Sequence, residues 1–488
     1  MEYTSTRNDQ LSVQAAEAIL RGIAPDGGLF VPKQFPSLPV EEVLDLSYPE
    51  TAQKVISLFL TDYAPEFLCK AAEQTYGGER FAQKAGYVSP VGDSGMYSLE
   101  LWHGPTCAFK DYALQLMPKL LVQAKEILGD TNVTKILVAT SGDTGKAALA
   151  GYADLPGIKI AVFYPNEGTS EIQRLQMVTQ KGENVAVYAV QGNFDDAQTG
   201  VKRVFGDPAV AECLAEKGEK LSSANSINWG RLVPQIVYYF YAYAQLVRQE
   251  VIENGERVDF CVPTGNFGDI LAGYYAKRMG LPVGKLICAS NKNNVLTDFL
   301  TTGVYDARRL FYKTESPSMD ILVSSNLERL LYHITGDSKK VVDWMAQLNQ
   351  QGHYQVDHET LARIQEHFAC GCANDEDGAQ EIRCCFEKNG YLMDPHTAVA
   401  WHVAASLRIN TAEQPCVILS TASPYKFPAS VLAALGQSVS ADEFEALRTL
   451  EEKSGMPAPE SLRVLRGQTE RFGQVISKEE IRQVALSL

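Results

Sequence analysis

The chain has 488 residues, 45% hydrophobic and 21% charged. That is the mix of a globular protein of roughly two to four domains, and it excludes a disordered or fibrous chain. The net charge of −15 excludes nucleic acid as a main partner, because a phosphate backbone needs dense Lys and Arg.

The opening MEYTSTRNDQLS lacks the basic-then-apolar layout of a signal peptide. Residues 1–95 are expected to form an N-terminal subdomain. Helical stretches at Ser12–Arg21, Thr51–Leu60 and Pro65–Tyr76 flank the segment Pro25-Asp26-Gly27-Gly28-Leu29-Phe30-Val31-Pro32. Residues 96–488 alternate short β-branched runs with longer helical stretches, the pattern of an α/β protein with parallel strands. Strands are predicted at Lys135–Ala139, Lys159–Phe163, Asn184–Val190, Asp259–Val262 and Val417–Ser420. The most apolar stretch, IVYYFYAYAQLV from Ile236, is too short to cross a bilayer and contains Gln245, so it reads as a buried helix. A cytoplasmic protein with mostly reduced cysteines is expected. Cys370/Cys372 and Cys384/Cys385 lack the two-residue gap of paired thiolate ligands, so no metal site is expected there. Ala373–Glu381 (ANDEDGAQE) reads as a solvated acidic loop.

Ligands of open parallel sheets bind beyond the carboxyl ends of strands, so four loops hold the candidate chemistry. Ser141-Gly142-Asp143-Thr144-Gly145-Lys146 follows a strand and opens a helix, where free N–H groups and the helix dipole favour an anion. It is no Walker A loop, since Thr140 replaces the first glycine and Ala147 the magnesium-binding Ser or Thr. Pro263-Thr264-Gly265-Asn266-Phe267-Gly268-Asp269 is a second strand-to-helix loop, with glycines that admit a phosphate but without the dinucleotide pattern. His103-Gly104-Pro105-Thr106-Cys107-Ala108-Phe109-Lys110-Asp111 sets Lys110 among small and apolar residues, where a lysine loses solvation and becomes the usable amine a Schiff base requires. Ser420-Thr421-Ala422-Ser423-Pro424 ends the last strand with a hydroxyl able to bond a ring nitrogen. A zinc peptidase is excluded, because Ala362 stands where the second histidine after His358-Glu359 belongs.

In order along the chain, these segments resemble the threonine synthase family in its longer microbial and fungal form. The resemblance is carried by YTSTRN from Tyr3, GIAPDGGLFVP from Gly22, HGPTCAFKDYALQ from His103, TSGDTGKAAL from Thr140 and NSINWGRLVPQ from Asn225. It continues with PTGNFGDILAGYYAKRMGLP from Pro263, NVLTDFL from Asn294, PSMDILVSSNLERLL from Pro317, GYLMDPHTAVA from Gly390 and STASPYKFP from Ser420. The resemblance implies two open twisted parallel-sheet lobes of the fold type II pyridoxal-phosphate enzymes, the smaller covering residues 115–225 or so and the larger the remainder. It implies pyridoxal 5'-phosphate as cofactor, held as a Schiff base by Lys110. Gly265, Asn266, Phe267 and Asp269 would form the cofactor-phosphate loop, Thr421 would face the pyridine nitrogen, and Asp143 would lie near the 3-hydroxyl. Ser141, Thr144, Asn225, Ser226 and Arg231 would receive the substrate phosphate, a guanidinium fork being suited to it.

The implied reaction converts O-phospho-L-homoserine and water to L-threonine and phosphate in a monomer or homodimer with no membrane or nucleic-acid partner. A phospho-lyase releasing 2-oxobutyrate and ammonia, a serine or threonine dehydratase, and a non-catalytic binding relative are the alternatives. Ser423 stands where some relatives carry histidine, and Lys146 is not required by the family pattern.

Overall fold

The computed structural model describes residues 1–140, 142–167, 169–407 and 414–488. Two β-sheets organise it. The five-stranded sheet runs Val475–Ile476, Val185–Val190, Ile158–Pro165, Val133–Ala139, Glu219–Ser222, and every pairing is parallel. Its inner strands are mostly apolar because helices cover both faces. Leu137, Ala161 and Phe163 pack with Val201 and Ile481, so the C-terminal helix Ile481–Ser487 closes one face.

The six-stranded sheet runs Phe368–Cys372, Val283–Ser290, Val258–Pro263, Cys416–Ser420, Met96–Glu100, Tyr87–Pro90. Only the last pairing is antiparallel. The stretch from Ile236 lies in the 20-residue helix Trp229–Arg248, whose Tyr238, Tyr239 and Phe240 are buried. Its Gln245 is spent on backbone groups, with Oε1 accepting from Val88 N at 3.1 Å and Nε2 donating to Gly86 O at 2.5 Å. All five predicted strands are present, each within two residues of its expected start.

Near the N-terminus a three-stranded antiparallel sheet orders Asn8–Val13, Tyr3–Ser5 and Phe30–Pro32. The helix expected from Ser12 begins at Ala15, because Asn8–Val13 is instead an edge strand with mostly exposed side chains. The other two helices span Tyr48–Phe59 and Pro65–Tyr76. The supposed acidic loop is a correction. Asn374 caps the helix Asp375–Asn389 in a capping box, and Asp375, Glu376 and Asp377 form its first turn, where negative charge suits the helix dipole. No helix among the described residues is long and apolar enough to cross a membrane.

Candidate active site

The loops that end Met96–Glu100 and Cys416–Ser420 are stitched together. Phe109 N donates to Thr421 O at 2.8 Å, Ser423 N donates to Cys107 O at 3.1 Å, and Ala108 bridges Ala422. Cys107 takes φ +60° to make the turn. Lys110 then opens the short helix Lys110–Leu114 with its side chain 13% exposed. Its Nζ donates to Ser318 Oγ at 3.0 Å and stands 3.8 Å from Asp143 Oδ2. Burial lowers the basicity of this amine, and the charges of Lys426 and Arg231 add to that against the opposing pull of Asp143.

Asp143 begins the helix Asp143–Tyr152 and is itself buried. Gln173 Nε2 donates to its Oδ1 at 3.0 Å, and the buried Lys426 pairs with the same oxygen at 2.6 Å. Burial favours the neutral acid, but Lys426 and Lys110 overcome it and hold the carboxyl below the ordinary range. Thr144 is half-buried in the same turn, and Ser141 lies outside the described residues. Lys146 is neither free nor aimed at solvent, since it donates to Gln180 Oε1 at 2.6 Å and burial lowers its pKa to about 8.

Beyond the strand Val258–Pro263 the chain turns at Gly265 and enters the helix Gly268–Arg278 through Phe267 at φ +64°. The amides of Gly265, Asn266, Phe267 and Gly268 find no acceptor among the described residues. They form a turn of donors at a helix N-terminus. Gly265 is required, because a Cβ there would lie 2.6 Å from Ser318 O. Asp269 is buried, accepts from Ile270 N at 2.9 Å, and is pushed up to about 6 by burial.

Arg231 sits in the first turn of Trp229–Arg248, 4% exposed, with no carboxylate partner among the described residues. Its Nη1 donates to Ala224 O at 2.5 Å, while its Nε and the buried hydroxyl of Ser226 have no protein partner. Burial lowers its pKa to about 10. Asn225 is exposed, its Oδ1 accepting from Ser226 N at 2.8 Å. The site therefore offers a buried amine, a donor turn and a guanidinium without a carboxylate partner among the described residues.

That chemistry coincides with family likeness. Residues 2–76 match the model described as threonine synthase N terminus, residues 92–422 that of pyridoxal-phosphate dependent enzymes, and residues 397–483 that of the threonine synthase C-terminal part. A threonine synthase of Pseudomonas aeruginosa is 40% identical over 446 residues, covering 90% of this chain and 91% of that one. The chain belongs to the threonine synthase family. The human threonine synthase-like 1 is 42% identical over 436 residues, 86% of this chain, but the match spans only 58% of that longer relative. A crystal structure of threonine synthase from Brucella melitensis with the phosphate cofactor bound superposes with TM-score 0.88 at 35% identity, covering 100% of this chain and 99% of that one.

A threonine synthase family member takes pyridoxal phosphate, and the residues present fit it. A buried amine whose basicity burial lowers suits a Schiff base, and the amides at Gly265–Gly268, unbonded among the described residues, suit a phosphate. Three groups touching this centre carry no strand-end signal: Lys426, Gln173 and Ser318. Lys426 alone had a local mark, a lysine set between Tyr425 and Phe427. Among the described residues no three His, Cys, Asp or Glu gather as for a metal. Cys370 is half-buried on the edge strand Phe368–Cys372, and all ten cysteines are free.

Proposed function

We propose that the chain is a threonine synthase, converting O-phospho-L-homoserine and water to L-threonine and phosphate. The observation that carries this is Arg231, a buried guanidinium without a counter-ion among the described residues, beside the hydroxyl of Ser226 that likewise has no partner among them. A cation left unpaired in the interior costs several kcal/mol, so the arrangement suits an anion that arrives with the substrate. The guanidinium fork suits a phosphate in two-point contact.

In this reading Lys110 holds pyridoxal 5'-phosphate. Gly265, Asn266, Phe267 and Asp269 would hold its phosphate end, Thr421 would face the ring nitrogen, and Asp143 would lie near the 3-hydroxyl. Arg231, Ser226, Asn225, Thr144 and Ser141 receive the substrate phosphate. Bound pyridoxal phosphate supplies the sink for the electron pair left at the substrate α-carbon. Lys110 Nζ, when free, would take the α-proton and then a β-proton of the substrate. Arg231 and Ser226 take up phosphate as its oxygen parts from the γ-carbon. The γ-carbon gains a proton to become a methyl group, water adds its oxygen to the β-carbon and gives up a proton, and the α-carbon recovers a proton. Lys426, by pairing Asp143, keeps that carboxylate ionised without drawing a proton from Lys110. The division that accompanies this reading is a subdomain of residues 1–95 on a catalytic core of 96–488, in a cytoplasmic monomer or homodimer.

The test is the visible absorption of the purified protein with added pyridoxal phosphate, followed by product analysis with O-phospho-L-homoserine. Threonine and phosphate are expected, while 2-oxobutyrate and ammonia would move the chain to a phospho-lyase. Lys110→Ala is expected to abolish both band and turnover, and retention of both would sink the assignment. Arg231→Ala is expected to raise KM with the band intact, roughly ten-fold or more for a lost charged contact.

A further inference from the structure

Ser318 lies in the turn Pro317–Met319, away from the four strand-end loops, and makes contacts in three directions. Its hydroxyl oxygen accepts from Lys110 Nζ at 3.0 Å. Its amide donates to His396 Nε2 at 3.1 Å. Its carbonyl oxygen packs on Gly265 so closely that no larger residue fits there. The same residue thus touches the amine, the donor turn and a buried histidine.

The histidine is itself fixed. Because Nε2 accepts from the Ser318 amide, the ring proton sits on Nδ1, which faces Asp394 Oδ2 at 2.6 Å. Asp394 is fully buried and also accepts from His396 N at 3.0 Å, Thr397 N at 3.2 Å and the Thr397 hydroxyl. On the far side of the turn Asp320 accepts from Asn291, Asn293 and Thr314 at 2.8, 2.9 and 2.8 Å. Pro317 restricts the backbone between these anchors. The direction of the Ser318 side chain is therefore set from both ends of a three-residue turn.

A free lysine amine has four rotatable bonds and two partners within reach here. Asp143, at 3.8 Å, favours the ammonium form, which cannot accept a proton. A serine hydroxyl is neutral and holds the nitrogen without the same bias. We propose that Ser318 holds the Lys110 amine in its working position whenever that amine is free, and that the His396–Asp394 pair is the positioning device that aims Ser318. The proposal rests on the reading that Lys110 carries the cofactor.

The test uses the full chain with Ser318→Ala, Ser318→Thr and His396→Phe. Three quantities are measured: the visible band of the loaded protein, the rate at which the cofactor-stripped protein regains that band, and kcat and KM for O-phospho-L-homoserine. In Ser318→Ala the band is expected at full height, while the rate of regain and kcat both fall roughly ten- to a hundred-fold, the worth of one hydrogen bond to the reacting amine. KM is expected to stay within about two-fold, since substrate phosphate is held elsewhere. Ser318→Thr is expected to restore most of both rates. His396→Phe is expected to move the same two quantities in the same direction, and the double variant to add little, as for groups acting in one chain. Unchanged regain and kcat in Ser318→Ala would overturn the proposal. So would a loss of band height in step with kcat, which is what mere disruption of the turn produces. Absence of the band in the unmodified protein, or its survival in Lys110→Ala, would instead remove the Lys110 reading and the proposal with it.

Discussion

Two buried aspartates in one site are driven in opposite directions, and the cause is their neighbours. Asp143 has Lys426 at 2.6 Å and Lys110 at 3.8 Å, and stays ionised although it is 4% exposed. Asp269, 6% exposed, has Ile270 N as a donor but no cation bonded to it, and burial pushes it up to about 6. Since the folded state then holds the Asp269 proton more tightly than the unfolded chain does, stability declines as pH rises from about 4 to about 6. Asp269→Asn keeps the oxygen that accepts from Ile270 and removes the charge. In the cofactor-free protein this variant is expected to match the parent near pH 4 and to exceed it by roughly 2–3 kcal/mol at pH 7. Denaturant midpoints across that range measure it, and a difference independent of pH would refute the cause given. Such contrasts were not legible in the sequence. Both residues open helices after glycine-bearing loops, and what separates them is Lys426, nearly three hundred positions from Asp143. Ser318 and His396 were equally silent, quoted within longer segments without a role, because their meaning arises only where the turn folds back on Lys110.

At the scale of elements, legibility followed hydrophobic pattern. The apolar runs of KILVA and VILS lie in largely buried parallel strands, and they were readable as such. The edge strand Asn8–Val13 was not, since its mostly exposed face offers polar residues without alternation. The same holds for Phe368–Cys372, whose sequence FACGC has one large apolar residue but takes its place by parallel pairing to Val283–Ser290. The helix Asp375–Asn389 was hidden for a third reason: its acidic first turn is what both a solvated loop and a dipole-matched helix start look like. What distinguishes them is Asn374, whose side chain accepts from Asp377 N at 2.9 Å while Asp377 returns a carboxylate oxygen to Asn374 N at 3.0 Å. Asn374→Ala removes one half of that box. It is expected to lower stability by about 1 kcal/mol, read as a shift of the thermal midpoint. An unshifted midpoint would mean the three acidic residues hold the turn unaided.

The whole molecule joins its N-terminal sheet to its reaction centre through one helix start. Thr6 and Arg7 both bond Glu328 of the helix Leu327–Thr335, Arg7 as a fork at 2.8 Å to each carboxylate oxygen. The next residue, Arg329, is fully buried and reaches three ways, to Phe30 O at 2.9 Å, Ile227 O at 2.6 Å and Asn326 Oδ1 at 2.5 Å. Asn326 then donates to Asn266 O at 3.0 Å and Ser226 O at 3.3 Å. Strand Phe30–Pro32, the Ser226 segment and the donor turn are thus referred to a single guanidinium. Lysine cannot replace it, since one ammonium lacks the planar fork that spans those acceptors. Arg329→Lys is expected to leave at least one buried acceptor unpaired at about 1–3 kcal/mol. It is also expected to raise KM for O-phospho-L-homoserine, because Ser226 and Asn266 lose their common anchor. Glu328→Gln supplies the contrast. It weakens the clasp to Thr6 and Arg7, and the Arg7 side chain is 23% exposed and can return to water, so a smaller fall in thermal midpoint with KM unchanged is expected. If the two variants lose stability with KM equally untouched, the helix start is a structural joint and nothing more. If KM moves in Arg329→Lys alone, the N-terminal sheet and the Ser226 segment share one positional reference, and the geometry at Arg231 depends on packing at Phe30.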